Sequence, residues 1–132
     1  MISNIIEFTI EMEPRPQLRP RFSARNGFVQ AFPPKENKLA MEKIRERLEL
    51  YKENMPFPKP LAIGLEVTFW KTKPKSVSQQ FPVGKADLSN YIKMLEDAME
   101  GYLFENDSQI VSLVAYKRYG APRVEVKLWE QP

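Results

Sequence analysis

The chain has 132 residues, 42% hydrophobic and 28% charged, which suits one globular domain with a core of its own. It contains no histidine and no cysteine, which excludes disulfides, thiolate or imidazole metal sites and every catalytic arrangement that needs a histidine base. Any hydrolytic chemistry must therefore run on carboxylates, lysines, hydroxyls or an oxygen-bound metal.

Residues 5–12 alternate, with Ile6, Phe8, Ile10 and Met12 on one side, and predict a half-buried strand that Pro14 and Pro16 end. Asn26-Gly27, flanked by Arg21-Phe-Ser-Ala-Arg25 and Phe28-Val-Gln-Ala-Phe32, is a hairpin signal. Residues 35–54 predict a helix with Met41, Ile44, Leu48, Tyr51 and Met55 on its apolar face, ended by Pro56, Pro58 and Pro60. Residues 61–70 predict a strand with Leu61, Ile63, Leu65, Val67 and Phe69 inward. Residues 71–85 lack periodicity and carry Lys71, Lys73, Lys75 and Lys85, as a functional loop does. Residues 87–100 predict a second helix stopped by Gly101. Residues 110–118 and 124–129 predict two closing strands around a turn at 119–122. The expected fold class is α+β: a single domain with a mixed sheet and two helices packed on it, in the order β-β-β-α-β-α-β-β. With no membrane span and no signal pattern at the N-terminus, the expected location is cytoplasmic.

The net charge of +3 is unevenly spread. Residues 14–25 hold Arg15, Arg19, Arg21 and Arg25 with no acid, whereas residues 94–107 hold Glu96, Asp97, Glu100, Glu105 and Asp107 with no base. A basic arm and an acidic pocket together suit a polyanion ligand with a metal at the cutting point.

At 100° per residue, Leu88, Tyr91, Ile92, Met94, Leu95, Ala98 and Met99 fall on one face of the second helix. Asn90, Lys93 and Asp97 form a stripe on the opposite side, with Asp87 at the helix start and Asp107 just past its end. Carboxylates beside a lysine suit a hard-metal, phosphate-cutting site. Each residue also has an ordinary reading: Asp87 as a helix cap, Asp107 as turn chemistry, and Asn90, Lys93 and Asp97 as a solvated face. Trp70 and Trp129, at strand ends, suit rim packing better than wedging into DNA.

In Asp87-Leu-Ser-Asn90-Tyr-Ile-Lys93, Asp97-Ala98 and Asn106-Asp107-Ser108-Gln109-Ile110, several unlike residues keep a spacing that resembles the RusA family of Holliday-junction resolvases. These are small, dimeric, magnesium-dependent endonucleases of bacteria and phages. Pro16-Gln-Leu-Arg19-Pro20-Arg21-Phe22 is similar to an arginine-proline-arginine segment of many phage members. The resemblance implies that Asp87 and Asp107 bind Mg²⁺, for which Mn²⁺ is a possible substitute. It implies that Lys93 is the essential lysine at the scissile phosphate and that Asn90 contacts DNA. Arg19, Arg21 and Lys85 are candidate DNA contacts.

Two positions depart from the family pattern. Ser89 stands where a second metal-binding aspartate is usual, and Asn106 where the acidic pair begins. Serine is a poorer magnesium ligand than a carboxylate, so Ser89 and Asp97 are both candidates for the third ligand. The implied function is a structure-selective DNA endonuclease acting on four-way junctions in recombination and repair. The alternative is a branched-DNA-binding protein of the same fold that has lost cleavage; a basic RNA-binding or adaptor domain is a weaker one. The family implies a homodimer, for which the broad apolar stripe of the second helix offers an interface.

Overall fold

A computed structural model describes residues 4–18, 21–25, 28–32 and 35–132, the stretches 21–25 and 28–32 by their backbone alone. Among the described residues six strands and two α-helices follow in the expected order: β1 (Ile5–Ile10), β2 (Arg21–Arg25), β3 (Phe28–Phe32), α1 (Lys35–Leu48), β4 (Ile63–Lys71), α2 (Leu88–Met99), β5 (Ile110–Tyr119) and β6 (Arg123–Glu130). β2 and β3 pair antiparallel with Arg25 opposite Phe28, the register of a two-residue connection. The other four strands form one mixed sheet in the order β1-β6-β4-β5.

Alternation explains the sheet. Phe8 and Ile10 of β1, Ile63, Leu65, Val67 and Phe69 of β4, and Val124, Val126 and Leu128 of β6 are all buried on one face. Ala40, Ile44 and Leu48 of α1 and Tyr91, Met94, Leu95, Ala98 and Met99 of α2 complete the same core. On the opposite face Glu7, Thr9, Glu66, Thr68, Glu125 and Lys127 line an open polar groove.

β4 and β5 run parallel, so the chain needs a crossover between them, and α2 supplies it. β6 returns antiparallel on the other side of β4. The short turn from β5 to β6 therefore steps over the end of β4, where the Gly120 amide donates to the Lys71 carbonyl at 2.9 Å. A Cβ on Gly120 would stand 2.7 Å from the Trp70 ring, so the ring needs a glycine there. Both tryptophans pack at the rim. Trp70 lies under the Arg123 guanidinium, at 4.4 Å, and donates to Glu125, while Trp129 covers Gly64.

One expectation is corrected. The α-helical part of the first helix ends at Leu48, not near residue 54, and Glu49–Tyr51 continue as a single 3-10 turn. Phe57, fully buried, draws the chain back to the core, and the prolines around it forbid further helix. The inward face also starts earlier, with Asn37, Ala40, Ile44 and Leu48 buried. On the α2 stripe, Tyr91, Met94, Leu95, Ala98 and Met99 are at most 2% exposed, whereas Leu88 and Ile92 are only partly buried. Among the exposed apolar side chains are four on the edge strand β5, Val111, Leu113, Val114 and Tyr116, at 40–59% exposed, together with Phe81 and Val83 in the loop before α2. No helix among the described residues is long and apolar enough to cross a membrane.

Candidate functional site

Burying one face of α2 turns Asn90, Lys93 and Asp97 outward. Lys93 Nζ lies 3.2 Å from Asp97 Oδ1 and 3.5 Å from Asp107 Oδ2, so one ammonium bridges a helix carboxylate and a carboxylate from the turn before β5. The Lys93 side chain is 51% exposed, that of Asp97 26% and that of Asp107 36%, an open cluster that a large ligand can reach. The Asp97 hydrogen bond and charge hold the Lys93 ammonium above the ordinary lysine range; burial opposes them, and Asp107 adds to them more weakly. Glu96 lies nearby. Burial pushes its carboxyl up, and the charges of Asp107, Asp97 and Glu100 push the same way while Lys93 opposes them. The α2 end and the following turn thus gather negative charge around one cation.

Asp107 owes its place to residues that sequence reasoning left without a role. Asn106 caps the 3-10 turn Asp107–Gln109, its side chain accepting from the Ser108 amide at 2.9 Å. Gln109 is buried and uses its whole amide. Oε1 accepts from the Glu105 and Asn106 amides at 2.9 and 3.0 Å, and Nε2 donates to the Phe57 and Leu61 carbonyls, both at 2.9 Å. Glu100 accepts from the Asp107 amide at 3.2 Å. Asn106, which departs from the acidic pair of the family pattern, therefore has a structural task.

Asp87 occupies the N-cap position of α2, but its side chain makes no capping bond and is exposed. The ordinary capping reading does not describe it. The residue before it, Ala86, has φ of +82°, which an L-residue adopts at a cost of roughly 1–2 kcal/mol. Lys117 of β5 donates to the Ala86 carbonyl at 3.1 Å and helps hold that bend. Asp87 stands six residues before Lys93, about 9 Å along the helix axis at the usual rise. Ser89, Asn90 and Lys85 are exposed around it. Lys93 thus contacts both Asp97 and Asp107, while Asp87, Ser89, Asn90 and Lys85 are exposed at the N-terminal end of α2.

A strap before the hairpin crosses this surface. The Gln17 amide donates to the Asn90 carbonyl at 2.9 Å, and Gln17 Nε2 donates to Asp97 Oδ2 at 2.7 Å. Asn37 of α1, 5% exposed, clamps the strap from behind, accepting from the Leu18 amide at 3.0 Å and donating to the Pro16 carbonyl at 2.9 Å. Arg45 of α1 donates to the Asp97 and Ala98 carbonyls at 3.0 and 3.3 Å, serving the open end of α2. Glu13 bonds the amide and hydroxyl of Thr72, which ties the start of the 71–85 loop to the strap. Arg19 lies outside the described residues, and Arg21 is described only as backbone in β2.

A lysine ammonium flanked by carboxylates can stabilise charge on a phosphate, and hard oxygen donors suit magnesium, which uses one or two carboxylates and keeps several waters. Asp87 and Asp107 are donors of that type. Among the described residues no three acidic side chains converge closely enough to hold an ion.

The sequence profile of a family described as "Endodeoxyribonuclease RusA" matches residues 11–129. A protein of Bacillus subtilis (strain 168) described as "Uncharacterized protein YqaN" is 32% identical over 138 residues, covering 95% of this chain and 96% of that protein.

Proposed function

The chain belongs to the RusA endodeoxyribonuclease family, and from that premise we propose that it is a magnesium-dependent endonuclease that cuts four-way DNA junctions by phosphodiester hydrolysis. The observation that carries this reading is the Lys93 ammonium held between Asp97 and Asp107 on an open, strap-crossed surface. Asp107, beside Lys93, is the carboxylate that would hold Mg²⁺, with Asp87 and Ser89 at the start of α2 contributing directly or through bound waters. When bound, the ion supplies polarisation of the phosphodiester and a water acidic enough to attack it.

The rest of the work falls to the chain's own groups. Lys93, held above its ordinary range, keeps its charge at neutral pH and acts by stabilising negative charge on the phosphate, not as a base. Asn90, Lys85, Arg19 and Arg21 contact the DNA backbone and set the position of the scissile strand. Homodimerisation through the exposed apolar edge of β5 would present two such sites to a junction that is itself two-fold, which suits paired nicking.

Ser89, together with the absence of a three-carboxylate group among the described residues, favours a second reading: junction binding without cleavage. A labelled immobile four-way junction and a linear duplex of the same sequence, each with Mg²⁺ or EDTA, separate the readings. Paired, Mg²⁺-dependent nicks in the junction support the first. Tight junction binding without nicks supports the second, and equal affinity for both DNAs overturns both.

A further inference from the structure

We propose that Gln17 is a positioning residue of the cleavage site, acting through Asp97 on Lys93. The proposal deepens the nuclease reading and rests on it. Three contacts form a chain: Gln17 Nε2 to Asp97 Oδ2 at 2.7 Å, Asp97 Oδ1 to Lys93 Nζ at 3.2 Å, and Lys93 Nζ to Asp107 Oδ2 at 3.5 Å. Each Asp97 oxygen has its own donor. The Gln17 amide fixes the rotation of the carboxylate, and the carboxylate then aims the ammonium toward Asp107. An exposed lysine on a four-carbon stem has wide rotamer freedom. A carboxylate held on one side only would leave much of that freedom in place.

The strap gives Gln17 the rigidity this task needs. Its main-chain amide is bonded to the Asn90 carbonyl, two helical turns before Asp97. The residues on either side of it, Pro16 and Leu18, are clamped by the buried amide of Asn37. Arg45 fixes the Asp97 backbone from α1. The Gln17 side chain is therefore a stiff arm laid along the polar face of α2, and it meets a residue whose backbone is also held. On this view Asp97 is a partner of Lys93 and does not ligate the metal, and the third metal ligand must come from elsewhere or from water.

The test uses the full chain and a four-way junction with Mg²⁺, measuring single-turnover cleavage and junction affinity separately. Gln17→Leu keeps the main-chain bond to Asn90 and removes only the side-chain donor. It is expected to slow cleavage about tenfold, since small misplacements of reacting groups are costly, while junction affinity stays within about twofold. Gln17→Glu has the same size but sets a carboxylate against Asp97, and it is expected to slow cleavage at least as much. On an Asp97→Ala background, Gln17→Leu should cost less than about twofold more, because residues acting in series are not additive. Wild-type rates in both Gln17 variants overturn the proposal alone. So does a fully additive double variant, or a loss of affinity and thermal stability in step with cleavage, which marks the strap as merely structural. A wild-type protein that does not cut overturns the nuclease reading and this proposal with it.

Discussion

Replacing Gln109 with methionine tests whether the Asp107 turn is held as described. Methionine keeps the volume and length of the side chain but removes all four hydrogen bonds of the buried amide. A net bond is worth about 1 kcal/mol, and a buried group left unpaired costs about 1–3 kcal/mol. The Glu105 and Asn106 amides lie near the surface, where water can replace the lost acceptor, whereas the Phe57 carbonyl is deep. The expected destabilisation is therefore about 3 kcal/mol, at the upper end of that range. With a urea slope of about 1.5 kcal/mol/M for a chain of this size, the unfolding midpoint falls by about 2 M. Urea titration followed by the fluorescence of Trp70 and Trp129 measures this directly. A shift of less than about 0.5 M at an unchanged slope would refute the claim that Gln109 anchors the turn.

Three other outcomes follow from the same physical account. Gly101 has φ of +86° and open space where a Cβ would go, so Gly101→Ala adds backbone strain without a clash. It should cost about 1 kcal/mol and lower the thermal midpoint by about 3–5 °C, and an unchanged midpoint would contradict the left-handed helix stop. Leu113→Lys, on the exposed edge strand, should convert a dimer to a monomer in sedimentation velocity; a dimer that persists would place the interface elsewhere. Ser89→Asp adds a carboxylate to the exposed first turn of α2 and should lower the Mg²⁺ concentration for half-maximal cleavage roughly tenfold. No change in Mg²⁺ dependence would remove position 89 from the ion's surroundings.

Much of this fold was legible because it rests on short-range periodicity. The two-residue alternation of β1, β4 and β6 and the 3.6-residue pattern of α2 each put the buried residues where the sequence places them. Gly101 marked the end of α2, and Asn26-Gly27 marked the β2–β3 pairing. The first helix was read too long because its pattern runs on to Tyr51 and Met55, whereas burial of Phe57 decides where the chain must turn back. Periodicity measures how apolar the α2 stripe is but not how much of it α1 and the sheet cover.

At the site, Lys93 and Asp97 were legible as an i, i+4 pair on one helix face. Their junction with Asp107 was suggested by the spacing that resembles the family. The supporting residues were not legible. Gln17 meets Asp97 across 80 positions and Gln109 meets Phe57 across 52, and no local pattern distinguishes such glutamines from surface ones. Asn37 gave a weak signal, as an amide in line with Ala40 and Ile44 on the inward face of α1, where a polar side chain must find partners.

The central claim is that Lys93 and Asp107 act in cleavage and not merely in folding or in holding DNA. The most direct measurement compares wild type, Asp107→Asn and Lys93→Met for single-turnover cutting of a four-way junction and for junction affinity. The account predicts paired nicks by the wild type, and variants that fold and bind the junction within a few-fold but cut at least about a hundredfold more slowly. Cutting at the wild-type rate by either variant would contradict it.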